Sequence, residues 1–366
     1  MTGGAGFIGS HLTDALLARG YSVRIVDRLV EQVHQRKKPD YLNNKAQFIH
    51  GDVRDPCIME KALRGMDIVY HLAARVGVGQ SNYEIREYVD ENVVGMATLL
   101  DTIVNKSLPI KKIIMTASMT SYGEGKYRCK KCGIVRPTLR ESKKDLFGKS
   151  WDPMCPVCGG KVIPVPTDET ASIDNNSIYA LTKNAQEALL RYVGTLYKIP
   201  FVSLRCFNVY GPRQSLSNPY TGVAAIFISR LKHNAAPLIY EDGLQTRDFV
   251  SVHDVVDALV AAMDKRRANF KTFNIGSGRV TTIQGLAVSI ARLMKKPISP
   301  HILFQLRKKD IRHCDADITK AKKLLGWQPR VSLQEGLTEL ISWSESQSAQ
   351  DVGEIADKEL RSKSLI

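Results

Sequence analysis

Short runs of β-branched and aromatic residues alternate with amphipathic stretches through the first half of the chain. Tyr21–Asp27, Gln47–His50, Asp67–His71 and Lys112–Thr116 have the length and the Ile, Val and Tyr content of strands. Between them, His11–Arg19 and Tyr88–Asn105 repeat apolar residues at three- and four-residue spacing, which gives a helix one buried face. Phe201–Arg205 reads as a later strand of the same set. Strands alternating with helices predict an α/β fold, a doubly wound parallel sheet with helices on both faces. The rhythm breaks over residues 124–166, which are rich in Lys, Pro, Gly and Cys and read as an insertion. Beyond Gly211 the pattern becomes mixed, with helices at Val223–Lys232 and Val255–Met263 among shorter strands. We therefore expect a first domain over 1–210, a smaller mixed α/β substrate lobe over 211–343, and a polar, mobile tail over 344–366.

A chain of 366 residues buries a substantial core, and 43% hydrophobic with 24% charged residues is ordinary for a globular protein. No apolar run approaches the roughly 18 residues of a membrane span. No basic leader precedes an apolar stretch at the N-terminus, so the expected setting is cytoplasmic. The net charge of +15 is spread over helices and loops, densest at Arg36–Lys38 and around Lys130 and Lys131. Without a basic stripe or a binding motif it does not point to nucleic acid, and a positive field suits a diphosphate-bearing substrate.

Thr2–Gly9 (TGGAGFIG) carries glycines at 3, 4, 6 and 9. Glycine lets a backbone turn tightly and approach a pyrophosphate closely, and the helix that follows offers its positive end. About 20 residues on, the second strand ends in Asp27, where a carboxylate accepts from ribose hydroxyls and repels the extra phosphate of NADP. NAD is therefore the expected cofactor, in a Rossmann-type domain. Gly51-Asp52-Val53 and His71-Leu72-Ala73-Ala74 end the next two strands, placed to meet the adenine and to lie flat against the cofactor.

Tyr179 and Lys183 stand four residues apart, on one face of a helix. A nearby ammonium stabilises phenolate, so the tyrosine pKa is expected to fall towards the working pH and make Tyr179 a general base. Ser118 ends a strand between the glycine turn and this pair.

TGGAGFIG, the HLAA strand end, Ser118 followed by Tyr122-Gly123, Tyr179-Ala-Leu-Thr-Lys183 and Arg205–Arg213 (RCFNVYGPR) together resemble the extended short-chain dehydrogenase/reductases acting on nucleotide sugars. The resemblance runs from Thr2 to about Trp343, leaving out the insertion. It implies that Ser118 hydrogen-bonds the reacting hydroxyl, that Tyr179 is the acid and base, and that Lys183 holds the nicotinamide ribose and tunes Tyr179. It implies a cofactor-binding set of Gly3, Gly6, Phe7, Ile8, Gly9, Asp27, Asp52, Val53, Leu72, Ala73, Ala74 and Asn92, with Tyr179 and Lys183. It also implies substrate contacts from Asn208, Arg247, Arg307 and Asp310 to a nucleotide-diphosphate sugar, and a homodimer.

The family's nucleotide-sugar dehydratases carry an Asp-Glu pair directly after the strand-end hydroxyl residue, and its decarboxylases usually a glutamate at the second position. Here those positions are Met119 and Thr120. What remains is epimerisation at sugar carbon 4 through a transient 4-keto intermediate. A 2-epimerase or 4-keto-reductase uses the same triad, and a non-catalytic NAD-sensing scaffold is the alternative of another class. Residues 217–227, with the cysteine insertion, resemble the dTDP-L-rhamnose 4-epimerase branch, and the chain as a whole also resembles UDP-glucose 4-epimerases.

Of seven cysteines, Cys129, Cys132, Cys155 and Cys158 form two CxxC pairs within the insertion. Each pair offers two thiolates at tetrahedral spacing, and four close the shell of a structural zinc ribbon. Cys57, Cys206 and Cys314 read as small buried hydrophobes. One feature departs from the fold: the glycine turn should follow a central strand, yet only Met1 precedes Thr2. A missing central strand leaves its neighbours' backbone groups unpaired. The expectation is that the reading frame begins upstream, with Met1 a misassigned start or a substitution for a strand residue.

Overall fold

The computed structural model describes residues 1–138, 151–220, 222–351 and 353–366. Residues 139–150 of the predicted insertion and Thr221 of the 217–227 stretch lie outside the described residues. The chain runs through α1 (Phe7–Ala18), β1 (Arg24–Asp27), α2 (Glu31–His34), β2 (Gln47–His50), α3 (Pro56–Leu63) and β3 (Ile68–His71). Next come α4 (Val78–Ser81), α5 (Ile85–Tyr88), a π-helical turn (Val89–Val94), α6 (Gly95–Asn105) and β4 (Lys112–Ser118). Three short strands, β5 (Lys126–Cys129), β6 (Gly133–Val135) and β7 (Val162–Val165), precede α7 (Ile178–Leu196), β8 (Phe201–Cys206) and β9 (Asn208–Tyr210). Then follow α8 (Val223–Lys232), β10 (Leu238–Ile239), β11 (Thr246–Ser251), α9 (Val252–Asp264), β12 (Lys271–Ile275) and β13 (Val280–Thr282). The chain closes with α10 (Ile283–Leu293), β14 (His301–Ile302), β15 (His313–Cys314), α11 (Thr319–Leu325), α12 (Leu333–Glu345) and α13 (Gly353–Ser362).

β4 is buried along its whole length and feeds two cores. Ile113, Met115 and Ala117 pack with Met96, Leu99, Ile103 and Leu190 of α6 and α7, whereas Ile114 packs with Leu12, Leu16 and Leu259 of α1 and α9. Apolar residues on both faces of a strand are what a sheet between two helical layers demands. β12, β8, β4 and β3 pair in parallel in that order, and β1 pairs in parallel with β2.

The predicted gap at the first strand is filled differently from expectation. Thr2 forms parallel bridges to Val26 on one side and His71 on the other. Its N–H donates to Tyr70 O (2.9 Å), its carbonyl accepts from Leu72 N (3.1 Å), and Met1 O accepts from Val26 N (2.9 Å). Because β1 and β3 are only four residues long, this two-residue rung pairs much of both edges and joins the two parts of the sheet.

Two boundaries are corrected. The stretch 252–275, expected in the second lobe, returns to the first sheet: β12 pairs with β8, and α9 packs Val255 and Leu259 into the same core as Leu12 and Ile25. The second lobe is built instead from α8, α10 and α12 around Phe227, Ile228, Leu286, Ile290, Leu337 and Leu340. Residues 353–362, expected within a mobile tail, form α13, whose buried residues Ala356 and Leu360 fall four apart on one face. Ala356 and Leu360 are buried there, Leu360 lies close against Gly79 of α4, and Tyr240 donates to Asp357 (2.5 Å). Among the described residues, no helix is long and apolar enough to cross a membrane.

Candidate active site and cysteine cluster

A cleft of about 490 Å³ opens along the C-terminal ends of the parallel strands. Gly3, Gly6, Phe7, Ile8 and Gly9 line one end of it, with Asp27, Asp52, Val53, Leu72, Ala73 and Ala74 from the ends of β1, β2 and β3. Gly3 holds φ +69°, and a Cβ on Gly9 would sit 2.2 Å from Gly3 O and 2.7 Å from Gly4 Cα, so the loop closes only with glycine at both places. No side chain caps the N-terminus of α1 at Gly6. Asp27 accepts from Ala5 N and Leu29 N (3.0 Å each), tying the carboxylate to the glycine loop while each oxygen keeps a further lone pair. Burial alone would raise the Asp52 carboxyl, but Arg54 (2.6 Å) and Arg28 (3.3 Å) hold it down at about 2.

Ser118, Tyr179, Lys183 and Asn208 meet further along the same cleft. Ser118 ends β4 and caps the 3₁₀ turn that follows, accepting from Thr120 N (3.2 Å) and sharing a hydrogen with Thr120 Oγ1 (2.8 Å). Tyr179 lies in the first turn of α7, where Ser177 is the N-cap. Two residues that the sequence reading missed lock that turn: Tyr179 N donates to Ser81 Oγ (2.9 Å) and Ile178 N to Asn82 Oδ1 (3.2 Å). Two turns along α7, the buried Glu187–Arg205 pair (2.8 Å) ties the helix to β8, and Arg205 also donates to Tyr122 Oη (2.9 Å).

The electrostatics of the pair differ from the expectation. Burial pushes the Tyr179 phenol up to about 12, with hydrogen bonding to Ser118 acting in the opposite direction. Burial likewise draws Lys183 down to about 8, and the negative charge of Glu187 opposes it. The spacing of the pair is as read; the expected fall in the tyrosine pKa is not, because desolvation of the phenolate outweighs the hydrogen bond with Ser118.

Four of the predicted residues do not line the cleft. Asn92 is fully buried and works as a brace: it donates to Thr182 Oγ1 (2.9 Å) and Arg75 O (3.1 Å) and accepts from Arg75 N (2.7 Å). Arg247, Arg307 and Asp310 are brought together, with Asp310 between the arginines at 3.1 Å from Arg247 and 3.6 Å from Arg307. That carboxylate engages both guanidinium groups.

In the insertion, β6, β5 and β7 form a three-stranded antiparallel sheet. Its loops bring the sulfurs of Cys129, Cys132, Cys155 and Cys158 within 4.8 Å of one another. Of the isolated cysteines, Cys206 and Cys314 are buried as expected, but Cys57 is exposed, near the start of α3.

The glycine cradle, the strand-end serine and the buried Tyr–Lys pair lie along one cleft. The model of the NAD dependent epimerase/dehydratase family matches residues 1–138 and 155–276. The chain belongs to this family. The family match leaves out 139–154, inside the insertion. Among its members, a dTDP-L-rhamnose 4-epimerase of Burkholderia thailandensis is 37% identical over 346 residues, 94% of this chain and 93% of that protein. A UDP-N-acetyl-alpha-D-glucosaminuronate decarboxylase of Bacillus cytotoxicus is 31% identical over 94% of this chain and 96% of its own length. The crystal structure of a Thermotoga maritima UDP-glucose 4-epimerase with UDP-glucose superposes with a TM-score of 0.78 and 33% identity, covering 94% of this chain and 97% of that one. Several wall residues of this family member escaped the sequence reading, among them Arg75 and Glu91. Arg28 and Arg75 share Glu91 at 2.5 and 3.2 Å, a contact across distant segments that no local motif announces.

Proposed function

We propose that this enzyme epimerises a nucleotide-linked hexose at carbon 4, with NAD as its cofactor. The observation that carries the reading is the composition of the wall around Ser118, Tyr179 and Lys183. Among the described wall residues, the carboxylates are Asp27, Asp52 and Glu91, which belong to β1, to the end of β2 and to the π-helical turn; the positions after Ser118 are Met119 and Thr120. Proton transfer at one hydroxyl needs a single tuned carrier, whereas removing water calls for a further acid and base. This composition favours epimerisation over the dehydratase and decarboxylase chemistries of the wider family.

The residues present fit NAD. The glycine cradle is one that a Cβ would fill, the uncapped N-terminus of α1 suits a pyrophosphate, and Asp27 stands where ribose hydroxyls donate. Bound NAD supplies the hydride acceptor and donor for carbon 4. Tyr179 takes the proton from the carbon-4 hydroxyl and returns it to the same oxygen, and the Ser118 hydroxyl holds that oxygen. Lys183, one turn along α7, places its cation to favour the phenolate. Asn208 and the Arg247–Asp310–Arg307 cluster serve the sugar diphosphate, Arg247 through a planar fork of donors.

The four-cysteine cluster supports one structural zinc, since thiolates around zinc at about 2.3 Å stand roughly 3.8 Å apart, and Cys129 and Cys158 are 3.6 Å apart. A cytoplasmic setting keeps those thiols reduced. The assembly is a homodimer through α7 and the π-helical turn, whose outer face exposes Val94, Leu181, Tyr192 and Leu196. The deciding experiment incubates the enzyme with dTDP-L-rhamnose and UDP-hexoses and follows the carbon-4 configuration by NMR. Inversion at carbon 4 is expected; release of water or carbon dioxide instead would overturn the reading.

A further inference from the structure

The insertion does more than decorate the surface: its stem grips one short segment of the second lobe. Glu124, at the start of the insertion and almost fully buried, accepts from Arg312 N (2.9 Å), His313 N (2.7 Å) and Tyr127 Oη (2.5 Å). Gly125 N donates to His313 O (2.8 Å). On the returning stem Thr167 N donates to Asp315 O (2.8 Å), and Thr167 O accepts from Asp317 N (3.0 Å). The body of the insertion adds Asp152, which accepts from Arg312 Nε (2.8 Å). Thr246 N donates to His313 Nδ1 (3.3 Å), so His313 carries its proton on Nε2 and donates it to Asp152 (3.3 Å). Arg312 is only 1% exposed and also meets Glu241 (2.9 Å) and Asp242 (2.6 Å).

The gripped segment is the one on which Arg247 rests. β15 pairs in parallel with β11, with Thr246 opposite His313 and Arg247 opposite Cys314. Arg247 Nη1 donates to Thr246 O (2.8 Å) and Arg312 O (3.3 Å), while Nη2 reaches Asp310 (3.1 Å). A shift of Arg312 and His313 therefore moves a hydrogen-bond acceptor of the Arg247 guanidinium and the strand beside it. The strand is only two residues long, so its own ladder does little to hold it.

We propose that Glu124 and Asp152 are positioning residues for nucleoside-diphosphate binding: by fixing Arg312–His313 from the insertion side, they set the geometry of Arg247 and Asp310. The proposal rests on the reading of Arg247 as the phosphate-binding arginine. It assigns the insertion a role in substrate affinity that is separate from the NAD cradle, since none of these contacts touches the glycine loop.

The test titrates dTDP and UDP into the NAD-loaded protein by calorimetry, with NAD affinity measured in parallel. Asp152→Asn and Glu124→Gln are each expected to weaken nucleotide binding about five- to tenfold, within the usual range for coupled sites, and to leave NAD affinity unchanged. Asp152→Glu should restore most of the loss. Asp152 is half-exposed, so its variant folds even if the change at buried Glu124 does not. Combined with Arg247→Lys, Asp152→Asn should add little further loss, because both act on the same contact. If Arg247→Lys weakens binding while both insertion variants bind normally, or if the double variant shows the full product of the two losses, the positioning role is overturned. A parallel fall in NAD affinity would mean general loosening and would overturn it too. Normal binding by Arg247→Lys, or no binding of either nucleotide by the parent protein, removes the reading of Arg247 and the proposal with it. The carbon-4 assay is independent of all these outcomes.

Discussion

Tyr179 is proposed to move a proton from a buried site that raises the pKa of its phenol, and the consequences are testable at the level of single side chains. Burial and the Ser118 contact leave the phenol near 12, with Lys183 near 8 one turn away. Tyr179→Phe removes the proton carrier without emptying the site, and turnover is expected to fall about a hundredfold or more while NAD affinity holds. A variant that keeps parental turnover would move the acid–base role elsewhere. His71 makes a second residue-scale prediction. Gln186 Nε2 donates to its Nε2 (3.2 Å), so the ring proton sits on Nδ1 and is donated to Thr2 Oγ1 (2.9 Å). Burial lowers this histidine from 6.5 to about 3, and His11 to about 4. The unfolded chain binds those protons near pH 6.5 and the folded chain does not. Stability from both is thus complete above pH 6.5 and lost as the pH falls towards 3. Buried Asp248, raised from 3.8 to about 6, acts in the opposite sense across the same range. The melting temperature should drop between pH 7.5 and 5, and drop less in a His71→Gln variant; an equal drop in both would contradict the assignment.

At the level of elements, the strongly patterned ones were legible and the short or context-dependent ones were not. β2 and α8 fall at Gln47–His50 and Val223–Lys232 as the apolar pattern predicts, because both draw their apolar side chains out of water. α13 was not legible: its sequence is polar, and only Ala356 and Leu360, four apart, find a surface to bury against. The π-helical turn at Val89–Val94 is likewise invisible to a helical period, since a period of about 3.6 does not register one widened turn. The cysteine cluster is the element most sensitive to one atom. A closed shell of four thiolates loses its metal when one ligand is removed, so Cys155→Ser is expected to abolish binding of the proposed zinc and lower the melting temperature by about 5 °C or more. Metal analysis of freshly reduced protein checks the first part and thermal denaturation the second. Full zinc content and full stability in that variant would rule out the ligand assignment.

For the whole molecule, the open question of assembly reduces to one face. Tyr192 is 71% and Leu196 59% exposed, along the helix that carries Tyr179 and Lys183 near its other end. Pairing of two copies there would bury both aromatic and aliphatic surface and stiffen the helix that carries Tyr179 and Lys183. Light scattering should return about twice the 40.8 kDa of one chain, and Tyr192→Glu should shift the protein towards monomer. A monomeric parent would refute the assembly. The charge of +15 bears on encounter: a positive field raises the local concentration of a diphosphate-bearing sugar, so association should slow as salt is added.

By itself the sequence determined the alternating α/β architecture, the glycine cradle, the strand-end serine, the Tyr–Lys spacing and the four-cysteine set, because each is a local pattern whose physics acts within a turn, a strand or a helix face. The tertiary structure alone decided the rest. It returned residues 252–275 to the first sheet, since parallel strands find partners across any distance along the chain. It raised Tyr179 rather than lowering it, since desolvation depends on the whole surrounding fold. It made Asn92 a buried brace and gathered Arg247, Arg307 and Asp310 into one ion-paired cluster, since a polar side chain's role is set by the partners that packing brings to it. Neither a period nor a motif encodes those partners, which arrive from residues tens to hundreds of positions away.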